Sequence, residues 1–234
     1  MIQEFISRIK PSEFAQYIDH TLLKPDADYK LLEKYIDDTK RYGFKTLVLP
    51  LSLIPLAREI AGNTIRFATV IGFPHGNTST SVKVYEVLQS VEYGVSEVDM
   101  VMNINLFKMK RFNEVLKDMV EVVAVAKKNG VEIVKVIIET ALLSDDEKLK
   151  ATDLVIESGT DYVKTNTGFL GGGATIHDVT LLYNHSRGRV KVKASGGIRH
   201  ALDAVAFIQA GAARIGTSSG DKIIEEYIRL HESL

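Results

Sequence analysis

Along the whole chain, segments with the apolar pattern of a β-strand alternate with segments that have the apolar pattern of a helix. Short apolar runs of strand length are each followed by a polar or glycine-containing loop and a stretch with helical spacing. One such stretch has an apolar stripe that is expected to face a sheet, formed by Val84, Val87, Leu88 and Val91. A longer stripe of the same kind follows on the next stretch, formed by Val115, Leu116, Met119, Val122, Val123 and Ala126. The alternation predicts repeated strand–helix units.

Eight segments have the length and composition of strands. They are Tyr17–Thr21, Thr46–Leu49, Arg66–Ile71, Glu97–Met102, Glu132–Glu139, Asp161–Thr165, Val190–Ser195 and Ala213–Gly216. Shared among eight units, 234 residues give about 29 per unit, close to the roughly 30 that a strand–helix crossover needs. No linker rich in Pro, Gly or Ser interrupts the series. We therefore expect residues 1–234 to form one domain of the α/β class.

Eight such units can close into a barrel or form an open sheet with helices on both faces. Central strands of an open parallel sheet are buried on both faces and are continuously apolar. The strands here alternate instead: in the fifth, Val134 and Val136 share one face, whereas Lys135 and Glu139 share the other. In a barrel the apolar face contacts the surrounding helices and the charged face lines the interior. The pattern thus predicts a single (β/α)8 barrel, the TIM-barrel fold.

The charged faces of these strands would bring acidic and basic side chains together inside the barrel. The residues concerned are Asp99, Lys135, Glu139, Lys164 and Lys193. Barrel interiors are normally filled with bulky uncharged side chains, and burying charges has a large desolvation cost. Function is the usual reason for such a cost, so these residues are candidates for an active site.

Two lysines are the best candidates for catalysis. Lys164 ends the sixth strand before a glycine-rich loop, and Lys193 follows one unit of 29 residues later, which places the two lysines at equal heights roughly 5 Å apart. Mutual repulsion and burial both favour a neutral amine, which can attack a carbonyl carbon near pH 7–8. Asp99 could transfer the protons that this chemistry requires. Alternatively, each lysine is a solvated residue or is paired with Asp99 or Glu139.

Two glycine- and serine-rich turns follow the last two strands, at residues 195–199 and 216–220. Barrels often bind phosphate there through backbone N–H groups and a helix N-terminus. The alternative is that the glycines only permit tight turns. Two such turns on adjacent strands favour a phosphorylated small molecule as the substrate.

Composition narrows the classes of function. The 29 basic and 30 acidic residues nearly cancel, so nucleic acid is not an expected partner. The absence of cysteine excludes disulfides, thiolate nucleophiles and cysteine-ligated metals. No apolar run has the length of a membrane span and the N-terminus lacks the features of a signal peptide, so we expect a cytoplasmic protein with no membrane partner.

Histidines offer the main argument for a metal. His20 and His75 follow predicted strands, where imidazole and carboxylate groups could bind a divalent cation. However, the sequence has no HExxH pattern, and an interior lined with lysines repels cations. We expect hydrogen-bonded structural histidines, no metal and no cofactor.

Several motifs resemble those of the deoxyribose-phosphate aldolase family, in the same order and over nearly the whole chain. They are Tyr-Ile-Asp-His-Thr-Leu-Leu-Lys-Pro at 17–25, Ile-Gly-Phe-Pro-His-Gly at 71–76, Glu-Val-Asp-Met-Val-Met-Asn at 97–103, Val-Lys-Val-Ile-Ile-Glu-Thr at 134–140, Val-Lys-Thr-Asn-Thr-Gly-Phe at 163–169, Lys-Ala-Ser-Gly-Gly-Ile-Arg at 193–199 and Gly-Thr-Ser-Ser-Gly at 216–220. The resemblance implies a metal-independent class I aldolase that reversibly cleaves 2-deoxy-D-ribose 5-phosphate to D-glyceraldehyde 3-phosphate and acetaldehyde.

The resemblance also implies roles for individual residues. Lys164 would form the Schiff base, Lys193 would lower its pKa and assist proton transfer, and Asp99 would donate and accept protons. The phosphate and the rest of the substrate would contact Gly196, Gly197, Ser218, Ser219, Thr21 and Phe73. Two positions depart from the family pattern: Asn166 stands where Ser is usual and Val48 where Cys is frequent. Both departures concern the polarity of the pocket and not the reaction.

Other functions remain open on the sequence. Another Schiff-base barrel, such as a transaldolase or a sugar-bisphosphate aldolase, would need a second phosphate or polyol site. A metal-dependent isomerase or lyase would lose activity on chelation. A barrel that only binds sugar phosphates would show no turnover. We also expect a possible homo-oligomer, a dimer or higher.

Overall fold

The computed structural model describes residues 2–234, and its strands close into a parallel barrel. The strands are β1 (Ile18–Thr21), β2 (Thr46–Leu49), β3 (Phe67–Ile71), β4 (Glu97–Val101), β5 (Ile133–Ile137), β6 (Tyr162–Lys164), β7 (Lys191–Ser195) and β8 (Ala212–Thr217). Each strand pairs with the next, and β8 closes the barrel by pairing with β1. The prediction of a (β/α)8 barrel is confirmed.

Helices surround this barrel. They are α1 (Ile2–Arg8), α2 (Pro11–Ala15), α3 (Tyr29–Tyr42), α4 (Ile54–Ala61), α5 (Thr80–Glu92), α6 (Ile104–Lys108), α7 (Phe112–Lys128), α8 (Asp145–Glu157), α9 (Ile176–Ser186), α10 (Ala201–Gln209) and α11 (Gly220–Glu232). Within residues 2–234, none of these helices combines the length and the apolar character that crossing a bilayer would require.

Most strand boundaries differ slightly from the prediction. The largest difference is in β5, which ends at Ile137 and not at Glu139. Glu139 has a φ of 55°, in the left-handed region, so the extended conformation cannot continue through it. A short 3₁₀ turn follows at Thr140–Leu142. The bend moves Glu139 away from the strand face that it was expected to share with Lys135.

The apolar faces of the strands pack against the helices as expected. Val98 and Met100 of β4 are fully buried, and most of the α7 stripe is buried with them. Leu88 of α5 is an exception, because it is 37% exposed. The buried face of α5 is centred on Lys83 and Val87, so Leu88 lies at its edge.

Candidate active site

Lys164 and Lys193 lie side by side at the centre of the barrel. Lys164 is the last residue of β6, and it is the register partner of Lys193 in β7. Both Nζ atoms contact the same carboxylate oxygen, Oδ2 of Asp99, at 2.8 Å for Lys164 and 2.7 Å for Lys193. The expected equal height of the two lysines is confirmed, and they share one carboxylate between them.

Further charges surround this trio on the neighbouring strands. Lys193 also contacts Asp19 Oδ2 on β1 at 2.5 Å. On the other side of the barrel, Lys135 of β5 donates to Asp99 Oδ1 at 2.9 Å. Asp99 is therefore held by three lysines, and Lys193 is held by two carboxylates.

A second layer of charge completes the network. Lys135 also donates to Glu97 Oε2 at 2.7 Å. Arg214 of β8 lies between Glu97, at 3.0 Å, and Asp19, to which it also donates. Acidic and basic side chains thus alternate around the interior, and each charge has an opposite charge within hydrogen-bonding distance.

The balance of charge identifies Lys164 as the group that most easily loses its proton. The three carboxylates Asp19, Glu97 and Asp99 are matched by three other cations, which are Lys135, Lys193 and Arg214. A charged Lys164 is a surplus cation in a buried site. Because the dielectric constant there is low, losing this proton restores neutrality and is favourable.

The pKa values follow this balance. Burial lowers the pKa of Lys164, attraction to Asp99 raises it and repulsion from Lys193 lowers it again, leaving the pKa at about 8. Burial alone would raise the pKa of Asp99, but the nearby lysines more than offset burial and hold it well below its ordinary value. The pKa of Asp19 is lowered in the same way by Lys193 and Arg214, against the effect of burial. Both aspartates are carboxylates at neutral pH.

Three members of this network were not proposed from the sequence. They are Asp19, Glu97 and Arg214. Their positions in the strands could have predicted that they face the interior. Asp19 and Thr21 lie on the same face of β1, and Glu97 and Asp99 lie on the same face of β4. Applying the alternation rule to every strand, including the short ones, would have found them.

Glu139 lies outside the network. Its Oε2 accepts from the backbone N–H of Thr167 at 2.9 Å, and it makes no contact with a lysine in residues 2–234. The expectation that Glu139 joins the lysines is wrong, because β5 has already ended. Glu139 instead links the loop after β5 to the loop after β6.

A cavity of about 250 Å³ opens above Lys164. Lys164 is at its base, and its walls include Thr21, Thr167, Gly168, Phe169, Gly196, Gly197 and Ser218. Asp99 and Lys193 are fully buried and do not line the cavity. A molecule in the cavity would meet the amine of Lys164 first, with the other two groups behind it.

The expected phosphate site is largely brought together. Gly196 and Gly197 have φ values of 98° and 76°, which ordinary side chains rarely adopt. Their N–H groups form no hydrogen bond within residues 2–234. Across the cavity, Ser218 precedes α11, whose N-cap residue Ser219 makes no side-chain cap hydrogen bond within residues 2–234. Free N–H groups on both sides suit an anion.

Two predicted pocket residues do not line the cavity. Ser219 lies behind Ser218, where its N–H donates to Thr217 Oγ1 at 2.9 Å. Phe73 contacts the edge of Phe169, with ring centroids 5.2 Å apart, and Phe169 forms the wall. Phe73 thus shapes the entrance indirectly.

Asn166 and Val48, the two departures from the family pattern, are both buried. Asn166 is fully buried; its side chain donates to Thr140 Oγ1 at 3.0 Å and accepts from the N–H of Ala141 at 3.1 Å. It therefore fixes the loop that follows Lys164. Val48 is fully buried in a small apolar cluster with Ala68 and Val70.

Neither histidine discussed from the sequence is hydrogen-bonded. His75 is exposed, and His20 is fully buried with no hydrogen-bond partner for either ring nitrogen in residues 2–234. The expectation of hydrogen-bonded structural histidines is therefore wrong for both residues; the ring of His20 is instead stacked on Tyr35.

One group of side chains has the spacing of a metal site. In the described chain, Asp145, His177 and Asp178 approach one another at the starts of α8 and α9. Lys148 already contacts both aspartates, at 2.9 Å and 2.7 Å. This cluster is an ion-pair network on the helix ring, in which Asp145 and His177 are exposed and Lys148 and Asp178 are buried.

The fold and the site together define a (β/α)8-barrel protein with a buried lysine of lowered pKa at the base of its cavity. Residues 14–226 match the family model for DeoC/LacD family aldolases. The chain therefore belongs to the DeoC/LacD family of aldolases.

Individual relatives agree with this assignment. The chain is 49% identical to the deoxyribose-phosphate aldolase of Carboxydothermus hydrogenoformans, over 93% of this chain and 96% of the relative. Among solved structures, an aldolase called QR15 is 38% identical with a TM-score of 0.89, covering 95% of this chain and 99% of that one. A tetrameric deoxyribose phosphate aldolase from Aeropyrum pernix is 33% identical with a TM-score of 0.86, covering 97% and 96%.

Proposed function

We propose that the protein is a class I aldolase that reversibly cleaves 2-deoxy-D-ribose 5-phosphate to D-glyceraldehyde 3-phosphate and acetaldehyde through a Schiff base on Lys164. One observation carries the proposal: Lys164 is at the base of the cavity, 2.8 Å from a buried carboxylate, and its pKa is about 8. A partly neutral amine at that position can attack a carbonyl group at physiological pH.

The reaction begins when the Nζ lone pair of Lys164 attacks the C1 aldehyde of the sugar. Loss of water gives an iminium ion. Removal of the proton from the C3 hydroxyl then breaks the bond between C2 and C3, whose electron pair moves into the iminium and forms an enamine. D-Glyceraldehyde 3-phosphate leaves, C2 of the enamine is protonated, and water hydrolyses the resulting iminium to acetaldehyde and free Lys164.

Asp99 and Lys193 handle the charge and the protons of this sequence. Asp99 contacts the reacting nitrogen and is ionised at rest, so it stabilises the cationic iminium and can accept a proton. Lys193 lies between two carboxylates, Asp19 and Asp99. It keeps a positive charge beside Lys164 and can supply a proton through Asp99.

The phosphate of the substrate is assigned to the glycine and serine turns. Gly196 and Gly197 offer N–H groups on one side, and Ser218 and the start of α11 lie on the other. The side chains of Lys24 and Arg199 also line the cavity. Thr21 and, through Phe169, Phe73 shape the remaining space.

The proposal is tested by product analysis with candidate sugars. The protein should release acetaldehyde and D-glyceraldehyde 3-phosphate from 2-deoxy-D-ribose 5-phosphate, and Lys164→Met should abolish release. Lys191→Met is a matched control, because Lys191 is an exposed lysine on the adjacent strand β7. Turnover only with a ketose or a bisphosphate would favour another aldolase, and no turnover with any aldehyde sugar would contradict the proposal. We also expect self-association, as in the Aeropyrum pernix relative.

A further inference from the structure

His20 is the one fully buried histidine next to the site, and the reaction proposed above does not use it. It lies in β1 between Asp19, which points into the charged interior, and Thr21, which lines the cavity. Because side chains alternate along a strand, His20 points to the opposite side, towards the helices. Its exposure is 0%, and neither ring nitrogen forms a hydrogen bond within residues 2–234.

The ring of His20 is fixed by packing on α3. It stacks on Tyr35 with the ring centroids 4.2 Å apart and an angle of 11° between the planes, and Phe44 lies 5.0 Å away. Asp38 Oδ2 is 3.9 Å from Nε2, which is too far for a hydrogen bond. Burial lowers the pKa of His20, which keeps the ring neutral beside the positive end of a helix.

The Nδ1 edge of the same ring meets the start of α11. A Cβ atom added to Gly220, the first residue of that helix, would lie only 2.6 Å from Nδ1 of His20. No positive φ requires a glycine at this position. The contact with His20 therefore explains why a side chain is excluded, and it fixes how closely the start of α11 approaches the barrel.

Tyr35 holds the other end of the same turn. Its hydroxyl donates to the carbonyl oxygen of Ser218 at 2.7 Å. Tyr35 and His20 are stacked on each other. Together they contact both ends of the turn, Tyr35 at Ser218 and His20 at Gly220. Ser218 lies on the cavity side of this turn, and α11 begins directly behind it.

We propose that His20 and Tyr35 are positioning residues that hold the Ser218–Gly220 turn at the height required to bind the phosphate of the substrate. Neither residue touches the substrate; they act through the turn. The inference rests on the proposed function, because it assumes that the turn binds phosphate. If so, the preference for a phosphorylated over an unphosphorylated sugar depends on two side chains outside the cavity, His20 of β1 and Tyr35 of α3.

The test compares two tyrosines of α3, one that bonds to the turn before α11 and one that bonds to α11 itself. Tyr35→Phe keeps the stacked ring and removes only the bond to Ser218. The control Tyr42→Phe removes a hydroxyl bond of the same length from the same helix, that of Tyr42 to the exposed Glu225 Oε1 at 2.7 Å, away from the turn. Losing one hydrogen bond that positions the turn should raise KM for 2-deoxy-D-ribose 5-phosphate about five- to tenfold.

The other readouts separate positioning from a general loss of structure. In Tyr35→Phe, kcat and the kcat/KM for unphosphorylated 2-deoxy-D-ribose should stay within about twofold of the parent, and the Kd of inorganic phosphate measured by calorimetry should rise with KM. His20→Leu should change the same constants in the same direction. Tyr42→Phe should change none of them.

Two results would overturn the inference: Tyr35→Phe that behaves like Tyr42→Phe, or equal losses against the phosphorylated and unphosphorylated sugars. Failure of the proposed function looks different, because the unaltered protein would then cleave neither sugar or would fail to bind inorganic phosphate. If His20→Leu does not fold, Tyr35→Phe alone decides the question.

Discussion

Replacing Lys193 by methionine should raise the pKa of Lys164. Both Nζ atoms lie within 2.8 Å of the same Asp99 oxygen, so they are at most about 5.6 Å apart. At that distance two unit charges repel by about 3 kcal/mol with an effective dielectric constant of about 20, which corresponds to about two pKa units. Removing Lys193 also means that Lys164 no longer shares the attraction of the Asp99 carboxylate with a second lysine on the same oxygen. We therefore expect the pKa of Lys164 to rise from about 8 to about 10.

Competitive labelling measures this pKa without requiring turnover. The protein is acetylated with trace reagent across pH 6–11, and the labelled Lys164 peptide is quantified by mass spectrometry. The midpoint should be near pH 8 in the unaltered protein and about two units higher in Lys193→Met. Lys191→Met removes an exposed lysine from the same strand and should leave the midpoint unchanged. An unchanged or lower midpoint in Lys193→Met would refute the repulsion argument.

Three further outcomes follow from the geometry. Gly216→Ala should lower kcat at least tenfold in steady-state assays, because the new Cβ would lie 2.9 Å from Ser195 Cβ and 3.0 Å from Cε of the fully buried Lys193; unchanged kcat would mean that Lys193 tolerates displacement. Lys83→Met should lower the free energy of unfolding in urea by about 3–5 kcal/mol, because it leaves the buried Asp118 carboxylate, 2.6 Å away, without its charge partner; equal stability would contradict this. Treatment with a chelator should leave aldolase activity unchanged, since every carboxylate of the interior network is held by a lysine or arginine; loss of activity that a divalent cation restores would argue against the Schiff-base mechanism.

The barrel could be predicted because its signal is repeated along the chain. Strands with one apolar and one charged face, such as the fourth, fifth and seventh, are incompatible with an open sheet that is covered on both sides. Strand ends were harder to predict because they depend on single backbone angles. Glu139 continues the alternation of β5 in the sequence, but its left-handed conformation ends the strand.

The site was predictable where spacing alone placed the residues. The 29-residue interval between Lys164 and Lys193 and the alternation on β4 were sufficient to bring Lys164, Lys193 and Asp99 together. Arg214 was missed because the alternation of faces was not applied to the short eighth strand, although Arg214 pairs with both Asp19 and Glu97. An indirect contact leaves no pattern in the sequence. Phe73 is an example, because it reaches the cavity only through its contact with Phe169.

The support beneath the phosphate turn could not have been predicted in the same way. His20 appeared to be a polar residue that would need a hydrogen bond, because buried polar atoms usually have partners. The role that we propose for it depends on the approach of α11 to β1, and these two elements are 200 residues apart at Gly220 and His20. Only the closed barrel brings them together.

The central claim is that Lys164 is the Schiff-base nucleophile, and chemical trapping tests it most directly. The protein is incubated with acetaldehyde, reduced with borohydride and digested, and the site of any added ethyl group is located by peptide mass spectrometry. We predict an ethyl group on Lys164 that is absent from Lys164→Met, with Lys193 unmodified. An adduct on Lys193 or only on exposed lysines, or none at all, would contradict the account.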